Sequence, residues 1–90
     1  MGTTIQDVID ELKQKKKNTT YDRLVTLMMQ ASCCVRPTRS EGGCKIWHPS
    51  VSGYAVIVPK PHGRSGGKHV KGPYVTKCIR LLEQVLENGG

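Results

Sequence analysis

An α+β fold, in which a three-stranded antiparallel sheet packs against helices in the order α-β-β-β-α behind one extra N-terminal helix, is predicted by three observations. Apolar residues recur at helical spacing near both ends of the chain, they alternate between Ser32 and Pro59, and the alternating runs are joined by short connections. Connections that short link neighbouring strands and permit only a meander. Ninety residues suffice for one small domain. At that size folding removes only about 60% of the surface of the unfolded chain, so a thin core and a surface site are expected in place of a deep pocket.

The first helix is expected to begin at Thr3 or Thr4. Asp7 stands three residues after Thr4, as in a capping box, and Ile5, Val8, Ile9 and Leu12 share one face. It ends in Lys15-Lys16-Lys17-Asn18, where cations complement the negative end of the helix dipole. A second helix starts after Thr19 or Thr20 and carries Tyr21, Leu24, Leu27, Met28 and Ala31 as its apolar stripe. Strands are expected at 33–36, 44–48 and 54–58, joined by a turn from Pro37 to Gly43 and a second through Pro49-Ser50-Val51-Ser52-Gly53. Pro59 and Pro61 stop the third strand, and His62 to Gly72 reads as a loop of glycines and basic residues. In the last helix, opened by Pro73, the residues Val75, Cys78, Ile79, Leu82, Val85 and Leu86 recur at helical spacing, and this face is expected to lie on the sheet. Residues 1–19 are read as an N-terminal helical extension and residues 20–90 as the domain it precedes.

The net charge of +7 is unevenly spread. Residues 1–35 carry +1, residues 36–80 carry +8 with Glu41 as their sole acid, and residues 81–90 carry −2. A basic segment of this kind is the electrostatic footprint of a polyanion binder, because each cation that neutralises a phosphate releases condensed counterions. No run approaches the roughly 18 apolar residues of a membrane span, and the polar start MGTTIQDVIDELK lacks the apolar centre of a signal peptide. A cytoplasmic location without a membrane partner is therefore expected.

The cysteines Cys33, Cys34, Cys44 and Cys78 fit no zinc spacing, and adjacent cysteines on a strand point to opposite faces. Half-buried thiols are the expected state, and neither a metal nor a cofactor is implied. Histidine suits proton transfer at neutral pH, and metal-independent RNA cleavage needs a base at the ribose 2′-OH, an acid at the leaving oxygen and cations around the phosphorane. His48 and His62 are the candidates for such a role, and His69 lies in the basic loop with His62. Trp47, the sole tryptophan, alternates with Ile46, so that one of the two faces away from the core. An exposed Trp47 beside Lys45 would stack on a base.

The stretch from Tyr21 to Leu86 resembles the HicA (YcfA-like) family of toxin–antitoxin mRNA interferases. The matching pieces are the helix Tyr21–Ala31, the run Arg39-Ser40-Glu41-Gly42-Gly43-Cys44-Lys45-Ile46-Trp47-His48-Pro49, Val56-Ile57-Val58-Pro59 with His62 after it, Gly67-Lys68-His69-Val70-Lys71-Gly72-Pro73, and the closing Val75, Ile79 and Leu82. The resemblance implies a fold similar to the double-stranded RNA-binding domain, an RNA ligand and an acidic antitoxin-like protein partner. The family's active-site motif is Gly-Ser-His, whereas this chain has Gly42-Gly43-Cys44, with Cys44 at the position of the catalytic histidine. A thiol whose ordinary pKa is near 8.5 replaces histidine poorly as a proton acceptor.

The leading expectation is thus an RNA-binding domain that holds structured RNA or mRNA through Lys45, Lys60, Arg64, Lys68 and Lys71, with Trp47 as a stacking contact. Duplex RNA would be recognised by shape, phosphates and 2′-hydroxyls. Two alternatives stand beside it. One is a metal-independent endoribonuclease in which His48 or His62 substitutes for the missing histidine. The other is an interaction module whose basic face docks an acidic protein, since complementary charge favours fast association.

Overall fold

Thr4 starts the first helix by a reciprocal pair of bonds. Its Oγ1 accepts from the Asp7 N–H at 3.1 Å, and its own N–H donates to the Asp7 carboxylate at 3.1 Å. Two of the donors that open every helix are satisfied in this way. The computed structural model describes residues 4–38, 43–59 and 69–88. Their order is α1 (Ile5–Gln14), α2 (Tyr21–Gln30), β1 (Cys34–Pro37), β2 (Cys44–Trp47), β3 (Ala55–Val58) and α3 (Gly72–Glu87). The three strands form one antiparallel sheet in the order β1-β2-β3. The α+β class, the meander and the sheet-on-helices architecture are those the sequence predicts, and the expected strand limits lie within one residue of the observed ones.

The helix junctions are closed locally. Buried Thr19 donates its hydroxyl to the Lys15 carbonyl at 2.6 Å, and Thr20 caps α2 by accepting from the Arg23 N–H at 3.2 Å. The α2 terminus is a Schellman turn without glycine. Ser32 takes the left-handed conformation at φ 66°, so that the Cys33 N–H reaches the Met28 carbonyl and the Ser32 N–H reaches Met29. That turn redirects the chain straight into β1.

The strand register divides the sheet into two chemically different faces. Val35 pairs with Ile46 and Ile46 with Val56, and Cys44 pairs with Val58. These side chains face inward, where α2 packs on β1 and α3 on β3. Gly43 lies so close to the end of β3 that a Cβ there would come within 2.4 Å of the Val58 carbonyl oxygen. A glycine at this position lets the strands close up.

α3 is buried on more than its sheet side. α1 packs along α3 and also touches α2, and Val8, Ile9 and Leu12 belong to the same hydrophobic cluster as the sheet residues. The buried arc of α3 therefore includes Leu81, about 100° round the helix from Leu82, while Leu86 is 42% exposed. The expected stripe is corrected at these two positions, because a helix covered from two directions buries more than one stripe. Arg23 grips Glu11 with two parallel bonds of 2.8 and 2.9 Å, tying α2 to α1 and holding the Glu11 carboxyl below its ordinary range. The Val70 N–H donates to the Thr19 carbonyl at 2.8 Å, and Thr20 bridges His69, so the entry to α3 is fastened to the turn between the first two helices. Among the described residues no helix is long and apolar enough to cross a membrane.

Because α1 contributes to the common core, Leu12→Ala is expected to cost the whole domain about 2–5 kcal/mol, the range for truncating a buried leucine. Urea unfolding followed by circular dichroism measures this. A loss near zero would mean that the first helix is a detachable arm.

Candidate nucleic-acid interface

With Val35, Ile46 and Val56 turned inward, alternation sends their neighbours outward. The outer face carries two rows across the strands. Cys34, Trp47 and Ala55 form one, and Arg36, Lys45 and Ile57 form the other. Arg36 and Lys45 are exposed, Trp47 is half-buried, and Ile57 is 60% exposed. The Lys45 Nζ stands 5.8 Å from the centre of the Trp47 ring, within the range of a cation–π contact. The small neighbours of Trp47, Cys34 on one side and Ala55 on the other, leave space beside the indole.

Arg36 and Lys45 are direct partners in the register, so two cations stand opposite each other on adjacent strands. Like charges in that relation destabilise a sheet. The ion pairs among the described residues join Lys13 to Glu83 and Arg23 to Glu11, and neither involves this pair. An anion lying across the two strands would remove the repulsion.

A second cationic region surrounds the start of α3. Lys71 is its N-cap residue and makes no side-chain capping bond, and the first turn contains no acid. The Lys16 Cε lies 3.9 Å from where a Cβ of Gly72 would stand, and exposed His69 precedes the helix. Lys60, Arg64, Lys68 and His62, expected to contribute to the interface or its chemistry, lie outside the described residues. The structure thus brings Lys45 and Trp47 together, adds Arg36 to them, and puts Lys71 at a helix entry with Lys16. Arg36 is the member that sequence reasoning passed over; its signal was register, since it lies opposite Lys45 only once the strands are aligned.

The remaining candidates point elsewhere. Cys44 is 3% exposed on the inner face; burial first, and then the neighbouring Cys44 thiol, raise the Tyr21 hydroxyl above its ordinary pKa. Burial likewise pushes the Cys33 and Cys78 thiols up to about 12. His48 is 8% exposed, and its Nδ1 accepts from the Ser50 N–H at 3.0 Å, with the Ser50 hydroxyl 2.8 Å away. It closes the turn after β2, where the Val51 N–H also returns to the His48 carbonyl. Among the described residues no group of three or more His, Cys, Asp or Glu is placed to hold a metal ion.

Lys45→Glu would turn the opposed cations into an opposite-charge pair. The variant is expected to be more stable than the parent by about 0.2–1 kcal/mol at low salt, with the gain shrinking as salt is added. Paired urea melts at two ionic strengths check this. No change in midpoint would show that the two side chains do not feel each other.

In comparisons with known proteins, no family model, no curated protein and no solved structure matches the chain.

Proposed function

We propose that this chain is an RNA-binding domain of the cytoplasm and that the outer sheet face is part of its RNA-binding surface. The observation that carries the reading is the Arg36–Lys45 opposition beside Trp47, on a face where neither cation has an acidic partner among the described residues. A phosphate between the two cations removes their repulsion, and a tryptophan next to them supplies a surface for a base. The excess of positive charge between residues 36 and 80 supports the same reading, with Lys60, Arg64, Lys68 and Lys71 as further phosphate contacts. Four unbridged cysteines support a reducing compartment. The resemblance to HicA-type interferases points to RNA as the polyanion. The proposal is one of binding: Cys44 is sealed into the core and the Nδ1 of His48 is engaged by Ser50, so neither side chain contributes to the surface described.

The affinity for a hairpin RNA with an unpaired loop is expected to fall linearly with salt on logarithmic axes. Replacing both cations, Arg36→Gln with Lys45→Gln, should reduce the slope by about 0.7–0.9, the value for the one phosphate that the two cations hold between them. Fluorescence anisotropy with a labelled hairpin measures it. A slope unchanged by the double variant would remove the sheet face from the interface, and binding insensitive to salt would remove phosphate recognition altogether.

A further inference from the structure

We infer that the outer sheet face takes an unpaired segment of RNA, with one base stacked on Trp47 and a neighbouring phosphate held between Arg36 and Lys45. This inference rests on the RNA-binding reading and names the form of RNA that this face selects.

The first support is size. Three strands about 4.8 Å apart span about 10 Å, and four residues at about 3.3 Å each extend about 13 Å. A patch of that area accommodates one or two nucleotides, whereas a domain that reads duplex RNA by shape covers about 16 base pairs. The second support is the chemistry of the central strand. Trp47 offers a ring, and in a duplex the bases are already stacked on each other and show only their edges. An unpaired base has its flat surface available, and contact with an aromatic ring tolerates any base.

The arrangement along β2 is the third support. Lys45 and Trp47 are two residues apart on one face, about 7 Å along the strand, and the Lys45 ammonium presently leans toward the indole. A base arriving on the ring takes the place of the cation that stands over it, and the displaced lysine turns toward Arg36 to clasp the phosphate. Ile57 and Ala55 continue the two rows on β3 with apolar surface, which suits a ribose or a base edge and gives no acid to repel the backbone. An acidic peptide would use the two cations and leave the indole without a partner.

Trp47 is the sole tryptophan, so its fluorescence reports this contact without a label. The full chain is titrated with a short oligouridylate, with a fully paired RNA duplex and with a polyglutamate peptide. The oligouridylate is expected to quench the emission and the duplex to leave it nearly unchanged. With a labelled oligouridylate followed by fluorescence anisotropy, Trp47→Ala should weaken binding by between about 5-fold and about 150-fold, and Trp47→Phe should keep most of it. Circular dichroism establishes that each variant is folded; should Trp47→Ala unfold, the quenching and Trp47→Phe comparisons still decide. Binding of the duplex without the oligouridylate, or a folded Trp47→Ala variant that binds as tightly as the parent, overturns the inference while leaving RNA binding intact. Failure of both RNAs to bind removes the RNA reading itself, and equal quenching by polyglutamate would transfer the face to an acidic protein.

Discussion

The pairing of Val35 with Ile46 and of Ile46 with Val56 governs both halves of this molecule. A strand has a side-chain period of two, so a slip of one residue would send Ile46 into water and bring Lys45 under the helices. The hydrophobic effect holds the register, since burying Ile46, Val56 and Val58 is worth about 1.5–3 kcal/mol each. The charged face is a by-product of that choice. Once the inward row is set, Arg36, Lys45 and Trp47 have no other place to go.

A thin domain needs its helices to do more than cover one side of a sheet. α3 meets β3 with part of its circumference and α1 with another, and its six buried residues span both contacts. The first helix in turn relies on α3, because a ten-residue helix has little stability of its own in water. Polar links complete the frame. Arg23 joins the first two helices, the Tyr54 hydroxyl donates to the Lys77 carbonyl, and the Asn88 amide donates to the Ser50 carbonyl at the far end of α3. Both ends of the long helix are thereby attached to loops, one at Thr19 and one at Ser50, and its position over the sheet is set from two sides.

Much of this was legible because each element carries its own local signals. Thr4 with Asp7, Thr20 before Tyr21 and Pro73 after Gly72 mark helix starts by chemistry that acts within three or four residues, and the alternation from Ser32 to Pro59 gave three strands to within a residue. What escaped notice depends on partners distant in sequence. No local rule places α1 against α3, and so Leu81 could not be told from Leu86. The turn at Ser32 is the local exception: it takes the left-handed conformation where glycine is the usual residue, with Met28 and Met29 a few residues back accepting the returning bonds. At the candidate site, Lys45 and Trp47 were visible from their spacing on one strand. Their companion Arg36 was not, because the residue it opposes depends on how the chain returns between β1 and β2.

If the outer face binds RNA as proposed, the opposed cations set folding and recognition against each other. A population of variants screened for thermal endurance alone would drift toward an acid or a threonine at position 45, and the sheet would become sturdier as it became electrically ordinary. Residues that such a screen depletes, on a surface where substitution should be harmless, mark what the molecule retains for reasons other than endurance. A thermal screen of random variants would in this way draw the outline of the proposed binding face without any ligand being present.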